Sequence, residues 1–227
     1  MKYFLDSAIM DEIRYAKANW GVDGITTNPR HIKNSGKPFY TVINEIALEY
    51  AGSDAPISVE INPHLTKSDE IIAAGRQLAA LSPNFIIKIP CNEQGLVAAK
   101  TLTEQGIRCN VTLVFTISQA IQAAKIGAHF VSPFVFWLEQ NGVDGVEYIR
   151  KIKRIYTNYG YKSEIIAAAI RDGNKIAQFA EAGVDIVTCA FDVYMDSFHS
   201  PYTDKGIAIF SEAWDGTEEG DISQWKK

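Results

Sequence analysis

Short apolar runs alternate with stretches of helical periodicity along the whole chain. The runs fall at 3–5, 24–26, 57–61, 85–89, 108–112, 130–132, 165–169 and 185–188. Each is close to continuously apolar, as a strand covered on both faces of a sheet must be; a half-exposed strand would alternate apolar with polar. Between them, apolar positions three and four apart predict helices over 8–20, 39–50, 67–81, 95–104, 117–125, 146–156, 175–182 and 206–214. The stretch after residue 26 reads as a loop ending near Pro38. Gly106, Gly127 and Gly183 stand in helix-to-strand connectors, where a left-handed residue closes a helix.

Alternation of this kind builds a parallel sheet, and about eight strand–helix units predict its closure into a (β/α)8 TIM barrel of the α/β class. An open doubly wound sheet is the competing arrangement, but its Gly-rich phosphate loop after the first strand is absent. No linker, repeat or low-complexity segment interrupts residues 1–227, so the expectation is a single domain. It should end in a helix and a polar tail after Trp214, loosely held or touching a neighbouring subunit.

Composition narrows the field. With 227 residues, 47% hydrophobic and 22% charged, the chain can bury a full core and is not disordered. A net charge of -5 argues against nucleic acid or anionic membrane as a partner, and the basic stripe Arg150-Lys151-Ile152-Lys153-Arg154 reads as a solvated helix face. No apolar run approaches the roughly 20 residues a membrane helix requires. The N-terminus meets Asp6 and Asp11 early and has no signal-like apolar block, which predicts a cytoplasmic protein. Cys91, Cys109 and Cys189, odd in number and scattered, read as buried reduced thiols; Cys91 lies near the end of its strand. The histidines show no metal-ligand spacing, His64 and His129 reading as surface or packing residues. Trp20, Trp214 and Trp225 read as packing or interface anchors.

A parallel barrel keeps its chemistry at the C-terminal ends of its strands. Those ends carry Asp6; Thr26, Thr27 and Asn28; Glu60; Lys88; Asn110 and Thr112; Ser132; and Arg171. Charged side chains are rarely buried unless paired, yet Lys88 sits within Phe85-Ile86-Ile87-Lys88-Ile89. A lysine taken out of water tends toward the neutral amine, which attacks carbonyls and forms Schiff bases. The blander reading, a lysine snorkelling to the rim or paired with Glu60, competes with it. Asp6 and Glu60 on other strands favour chemistry, because imine turnover needs proton donors and acceptors nearby.

Together these segments resemble the transaldolase family, in particular its small single-barrel members and the fructose-6-phosphate aldolases. The resemblance runs through Phe4-Leu5-Asp6-Ser7, Gly24-Ile25-Thr26-Thr27-Asn28-Pro29, Ser58-Val59-Glu60, Ile87-Lys88-Ile89-Pro90, Asn110-Val111-Thr112, Val131-Ser132-Pro133-Phe134-Val135 and Ala167-Ala168-Ala169-Ile170-Arg171. It covers nearly the whole chain in order. The resemblance implies a metal-free, cofactor-free class I transaldolase acting on small-molecule sugar substrates, and a homo-oligomer. Lys88 would form the Schiff base and Asp6 would remove the hydroxyl proton during carbon–carbon cleavage. Glu60 with Thr112 would position a proton-shuttling water. Asn28 and Asn110 would bind hydroxyls of the three-carbon unit, with Thr26 and Ser132 beside them. The aldolase branch resembles a pattern with Gln at the Glu60 place and Tyr at the Phe134 place; Glu60 and Phe134 here predict a transferase whose enamine waits for an acceptor aldehyde.

Four positions depart from the family pattern. Trp137 stands where an Arg usually grips the sugar phosphate, and Ala169 replaces a Ser, while Arg171 remains. Arg30 and His31 replace small and aliphatic residues after Asn28-Pro29. Losing a charge-assisted phosphate donor disfavours a dianion. One reading is that another cation, such as Arg30, takes its place with the same ligand. The other is a sulfonate tail, a monoanion with weaker acceptor oxygens. The sulfonate reading predicts transfer of dihydroxyacetone from 6-deoxy-6-sulfofructose to glyceraldehyde 3-phosphate. An ordinary fructose-6-phosphate transaldolase or aldolase is the alternative, and a non-catalytic sugar-binding barrel a rival of another class.

Overall fold

In the computed structural model, which describes residues 1–224, the apolar runs form eight parallel strands that close into a barrel in chain order. They are β1 (Lys2–Asp6), β2 (Gly24–Thr26), β3 (Ile57–Glu60), β4 (Phe85–Pro90), β5 (Cys109–Val114), β6 (Phe130–Pro133), β7 (Glu164–Ile170) and β8 (Ile186–Cys189). The helices are α1 (Met10–Asn19), α2 (Pro29–Asn34), α3 (Phe39–Glu49), α4 (Ser68–Ala79), α5 (Glu93–Glu104), α6 (Ile117–Lys125), α7 (Val135–Glu139), α8 (Gly145–Tyr159), α9 (Asn174–Glu181), α10 (Phe191–Phe198) and α11 (Pro201–Asp215). Trp225 lies outside the described residues.

Helices α2, α7 and α10 are absent from the pattern of periodicity. Each begins just beyond the end of a strand and buries only one or two side chains: Ile32, Val135, or Val193 with Tyr194. So short an apolar face leaves no readable period. Helix α2 nevertheless carries a local start signal. The Asn28 side chain accepts the His31 N–H, and Pro29 takes the first turn, where its missing N–H costs nothing.

Side chains on a strand alternate between faces, and here the parity of the residue number separates the two. Odd-numbered strand residues such as Leu5, Ile25, Ile57, Val59, Ile87, Ile89, Val111, Val131 and Val187 join the large core shared with the helices. The even-numbered Phe4, Ile86, Phe130, Ile166 and Ile186 form a separate cluster inside the barrel, where the Phe4 and Phe130 rings meet edge to face at 5.6 Å. Register keeps the even set level around the ring: Thr26 beside Ser58, Glu60 beside Lys88, Lys88 beside Asn110. Two residues further along the same strands, the inward position becomes Asp6, Lys88, Ser132 or Thr188. The interior thus changes from apolar plug to polar floor in one step of the pleat.

Two bulges modify the top of this floor. Register shifts between Val111 and Val114, and between Ala167 and Ile170, coincide with left-handed Leu113 (φ 56°) and Ala169 (φ 61°). Such conformations in residues other than glycine cost about 1–3 kcal/mol each and concentrate at functional sites. Both residues line the mouth of the barrel.

Trp20 is a packing anchor, stacked on Phe191 with centroids 4.7 Å apart. Trp214, on α11, is exposed, and no residue of that helix is buried.

Candidate active site

The C-terminal end of the barrel opens into a cavity of about 560 Å³ lined by Asp6, Asn28, Arg30, His31, Glu60, Phe134, Trp137, Ala169 and Arg171, with Leu113 among its walls. Beneath it lies Lys88, 3% exposed. Its Nζ donates to the Thr27 carbonyl at 2.9 Å and lies 3.3 Å from Glu60 Oε2. The strand sequence predicts this burial: with the odd residues of β4 committed to the helix face, an even-numbered lysine has only the barrel interior to enter.

The two carboxylates are tuned in opposite directions. Burial pushes the Glu60 carboxyl above its ordinary value, and Lys88 only partly opposes this. Burial would raise Asp6 as well, but the hydrogen bond and charge of His31, the charge of Lys88 and the Thr26 hydroxyl outweigh it and hold the carboxyl below its usual range. The result is one carboxylate suited to stay ionised and another suited to trade a proton.

Two hydrogen-bonded sets lie on the polar floor. Thr26 donates to Asp6 Oδ1 at 2.8 Å and its hydroxyl meets that of Thr188 at 2.6 Å. Asn110 donates to the Ser58 hydroxyl at 3.0 Å and accepts from Ser132 at 2.7 Å. Each such bond is worth about 1 kcal/mol net, but leaving any of these buried groups unpaired would cost more. Thr112 Oγ1 is buried with no partner among the described residues. Asn28 spends its carbonyl oxygen on the α2 cap, and its amide N–H groups have no partner among the described residues.

The sequence reading therefore brings together Lys88, Asp6, Glu60, Thr112, Thr26, Asn28, Asn110 and Ser132 in one place. It leaves out Ser58 and Thr188, which complete the network; their inward parity, shared with Glu60 and Ile186, was the available signal. It also leaves out Leu113, because nothing local announces a left-handed leucine. The thiol of Cys91 is buried and pushed up to about 11, so packing is its role.

The outer wall carries the departures from the family pattern. The Trp137 ring stacks on Phe115 at 5.7 Å and meets Phe134 edge-on at 5.8 Å. Arg171 places its guanidinium 6.0 Å from the Phe136 ring centroid. Neither Arg30 nor Arg171 has a carboxylate ion-pair partner among the described residues. His31 differs: its Nε2 lies 3.0 Å from Asp6 Oδ2.

A parallel barrel with an amine buried at the C-terminal end of a strand, flanked by two differently tuned carboxylates, suits chemistry on carbonyl compounds through a Schiff base. Residues 3–220 match the family Transaldolase/Fructose-6-phosphate aldolase. The chain is 59% identical over 218 residues to the 6-deoxy-6-sulfo-D-fructose transaldolase of Priestia megaterium, covering 96% of each chain. It is 42% identical over 219 residues to a probable transaldolase of Bdellovibrio bacteriovorus, covering 96% of this chain and all of that one. Thiamine phosphate pyrophosphorylase from Pyrococcus furiosus, 16% identical, shares the fold alone, with a TM-score of 0.57 over 83% of this chain and 85% of that one. The chain belongs to the transaldolase/fructose-6-phosphate aldolase family and is an enzyme of the transaldolase type.

Proposed function

We propose that this enzyme carries dihydroxyacetone from a ketose with a sulfonate at C6, 6-deoxy-6-sulfofructose, to glyceraldehyde 3-phosphate, releasing sulfolactaldehyde and forming fructose 6-phosphate. The observation that carries the donor assignment is Trp137 on the cavity wall where the family places a phosphate-gripping Arg, with Ala169 in place of Ser. Arg171 and Arg30 remain to balance a monoanion, and the indole N–H adds a neutral donor. The 59% identical relative is named for the same donor.

In this reading the amine of Lys88 attacks C2 of the donor, and loss of water yields the imine. Glu60, with its raised carboxyl, passes the protons through a water held by the otherwise unpartnered Thr112 hydroxyl. Asn28 and Asn110 hold the hydroxyls of the three-carbon unit. Asp6 takes the C4 hydroxyl proton, the C3–C4 bonding pair moves into the enamine, and the aldehyde leaves. Phe134 offers no hydroxyl to protonate the enamine, which therefore survives until an acceptor aldehyde arrives.

Donor kinetics test the assignment. The wild type should show a higher kcat/KM for 6-deoxy-6-sulfofructose than for fructose 6-phosphate. Trp137→Arg should move that ratio toward the phosphate by about tenfold or more, the worth of one charge-assisted bond. A strong wild-type preference for fructose 6-phosphate would sink the sulfonate reading and leave the ordinary transaldolase reaction.

The enzyme is also proposed to work in the cytoplasm as a homo-oligomer. Cys91, Cys109 and Cys189 are free and buried, as suits a reducing compartment. Helix α11 presents Ile207, Phe210 and Trp214 at helical spacing to solvent, with Tyr202 and Ile209 also exposed. A second copy is the occupant proposed for that stripe. Light scattering should return a multiple of the chain mass for the wild type and a smaller particle for Phe210→Asp; a monomeric wild type would refute it.

A further inference from the structure

Two features of the mouth lie outside the chemistry already assigned: left-handed Leu113 and the contact between His31 and Asp6. His31 is held at both ends. Its backbone N–H is fixed by Asn28 Oδ1 at 3.0 Å, and its ring nitrogen Nε2 stands 3.0 Å from Asp6 Oδ2. The two side chains are only 20% and 18% exposed, so solvent screens the contact weakly. The other oxygen of Asp6 is engaged by Thr26, itself braced by Thr188.

We infer that His31 is a positioning residue for carbon–carbon cleavage, holding the Asp6 carboxylate ionised and oriented, and is not a grip for the charged tail of the donor. This rests on the reading of Asp6 as the base. When Asp6 accepts the C4 hydroxyl proton, the C3–C4 pair enters the enamine and the aldehyde leaves; the same proton returns to the acceptor oxygen when the new bond forms. His31 neither gains nor loses a proton in this exchange. It donates one hydrogen bond to Asp6 throughout and, when protonated, adds a charge against the cost of burying the carboxylate.

The charged and titratable groups facing His31 come from every side of the mouth. They are Asp6 on β1, Glu12 on α1, Arg30 on α2, Glu60 on β3, Lys88 on β4, Arg171 beyond β7 and Asp192 on α10. Only Asp6 is in contact with its ring nitrogen as an ion-pair partner among the described residues. Removing His31 leaves burial acting on Asp6 against Lys88 and Thr26 alone, so the carboxyl rises and holds its proton to higher pH. Activity is then lost on the acid side.

The test is the pH profile of kcat/KM for His31→Leu and His31→Gln. Leucine should lower kcat and move the acid limb up by about one pH unit, the effect of losing one opposite charge. Glutamine, whose amide can still donate to Asp6, should restore kcat at alkaline pH while keeping the displaced limb. Both effects should persist with unsubstituted fructose as donor, which has no charged tail. Acid limbs that superimpose on the wild type, with only the KM for the charged donor raised, would overturn the inference and make His31 a tail contact. Asp6→Asn separates the two readings. If it keeps turnover, the assignment of the base falls and this inference with it; if it is inactive while the limb stays put in His31→Leu, only the role of His31 falls.

Discussion

Lys88→Ala should yield no covalent adduct when the enzyme is incubated with donor and borohydride and its intact mass is measured. The wild type should gain the mass of a reduced three-carbon unit. Turnover should fall by about 10⁴-fold or more, since no other group can supply the electron sink at C2. Lys88 is the amine whose Nζ lies inside the barrel against Glu60 and the Thr27 carbonyl, below the cavity where a sugar fits. The variant should still fold, because the Glu60 left behind can take up a proton and stay neutral in its buried place. Circular dichroism checks that. An adduct of undiminished yield in Lys88→Ala would move the Schiff base to another lysine. No adduct in either protein, with either sugar, would bring forward the sugar-binding barrel.

Asp6→Asn should separate imine formation from cleavage. The amide keeps the shape and still accepts from Thr26, but it is no base. Reduction with borohydride should therefore trap the intact six-carbon donor on Lys88 in place of the three-carbon piece. Overall transfer should drop by about 10²–10⁴-fold, the usual share of a positioned base. In the wild type, His31, Lys88 and Thr26 together hold the Asp6 carboxyl low despite its burial. Cleavage should accordingly persist to pH values below the ordinary carboxylate range and fail only as Asp6 takes up its proton. A three-carbon adduct forming at the wild-type rate in Asp6→Asn would remove Asp6 from the role.

The departures from the family pattern acquire a location once the chain is folded. Trp137 is not an isolated substitution but one member of an aromatic wall with Phe115 and Phe134. An arginine placed there would face that wall as well as the donor, which is why Trp137→Arg should tune the donor ratio without abolishing either activity. His31 also acquires a neighbour. In the sequence it is one of two replacements after Asn28-Pro29; in the structure its ring nitrogen lies 3.0 Å from Asp6 Oδ2.

What the chain determines by itself is local and periodic. Eight apolar runs spaced by helical stretches lead to the parallel barrel, since a strand covered on both faces has few other architectures open to it. The same pattern makes Lys88, Asp6 and Glu60 conspicuous, because ionisable groups in such runs are costly unless they act together. The tertiary structure alone decided the rest. Closure with an even-numbered register, kept as far as the two bulges, brought Thr26, Ser58, Asn110, Ser132 and Thr188 into one floor, though each is an ordinary residue in its own segment. The bulges that turn Leu113 and Ala169 into the mouth form against the next strand around the ring, and the contact that joins His31 on α2 to Asp6 on β1 spans separate elements. A pattern read along one dimension records which side of its own strand a residue occupies. Which partner waits across the barrel, and so which carboxyl is held low or pushed up, follows only when the ring is closed.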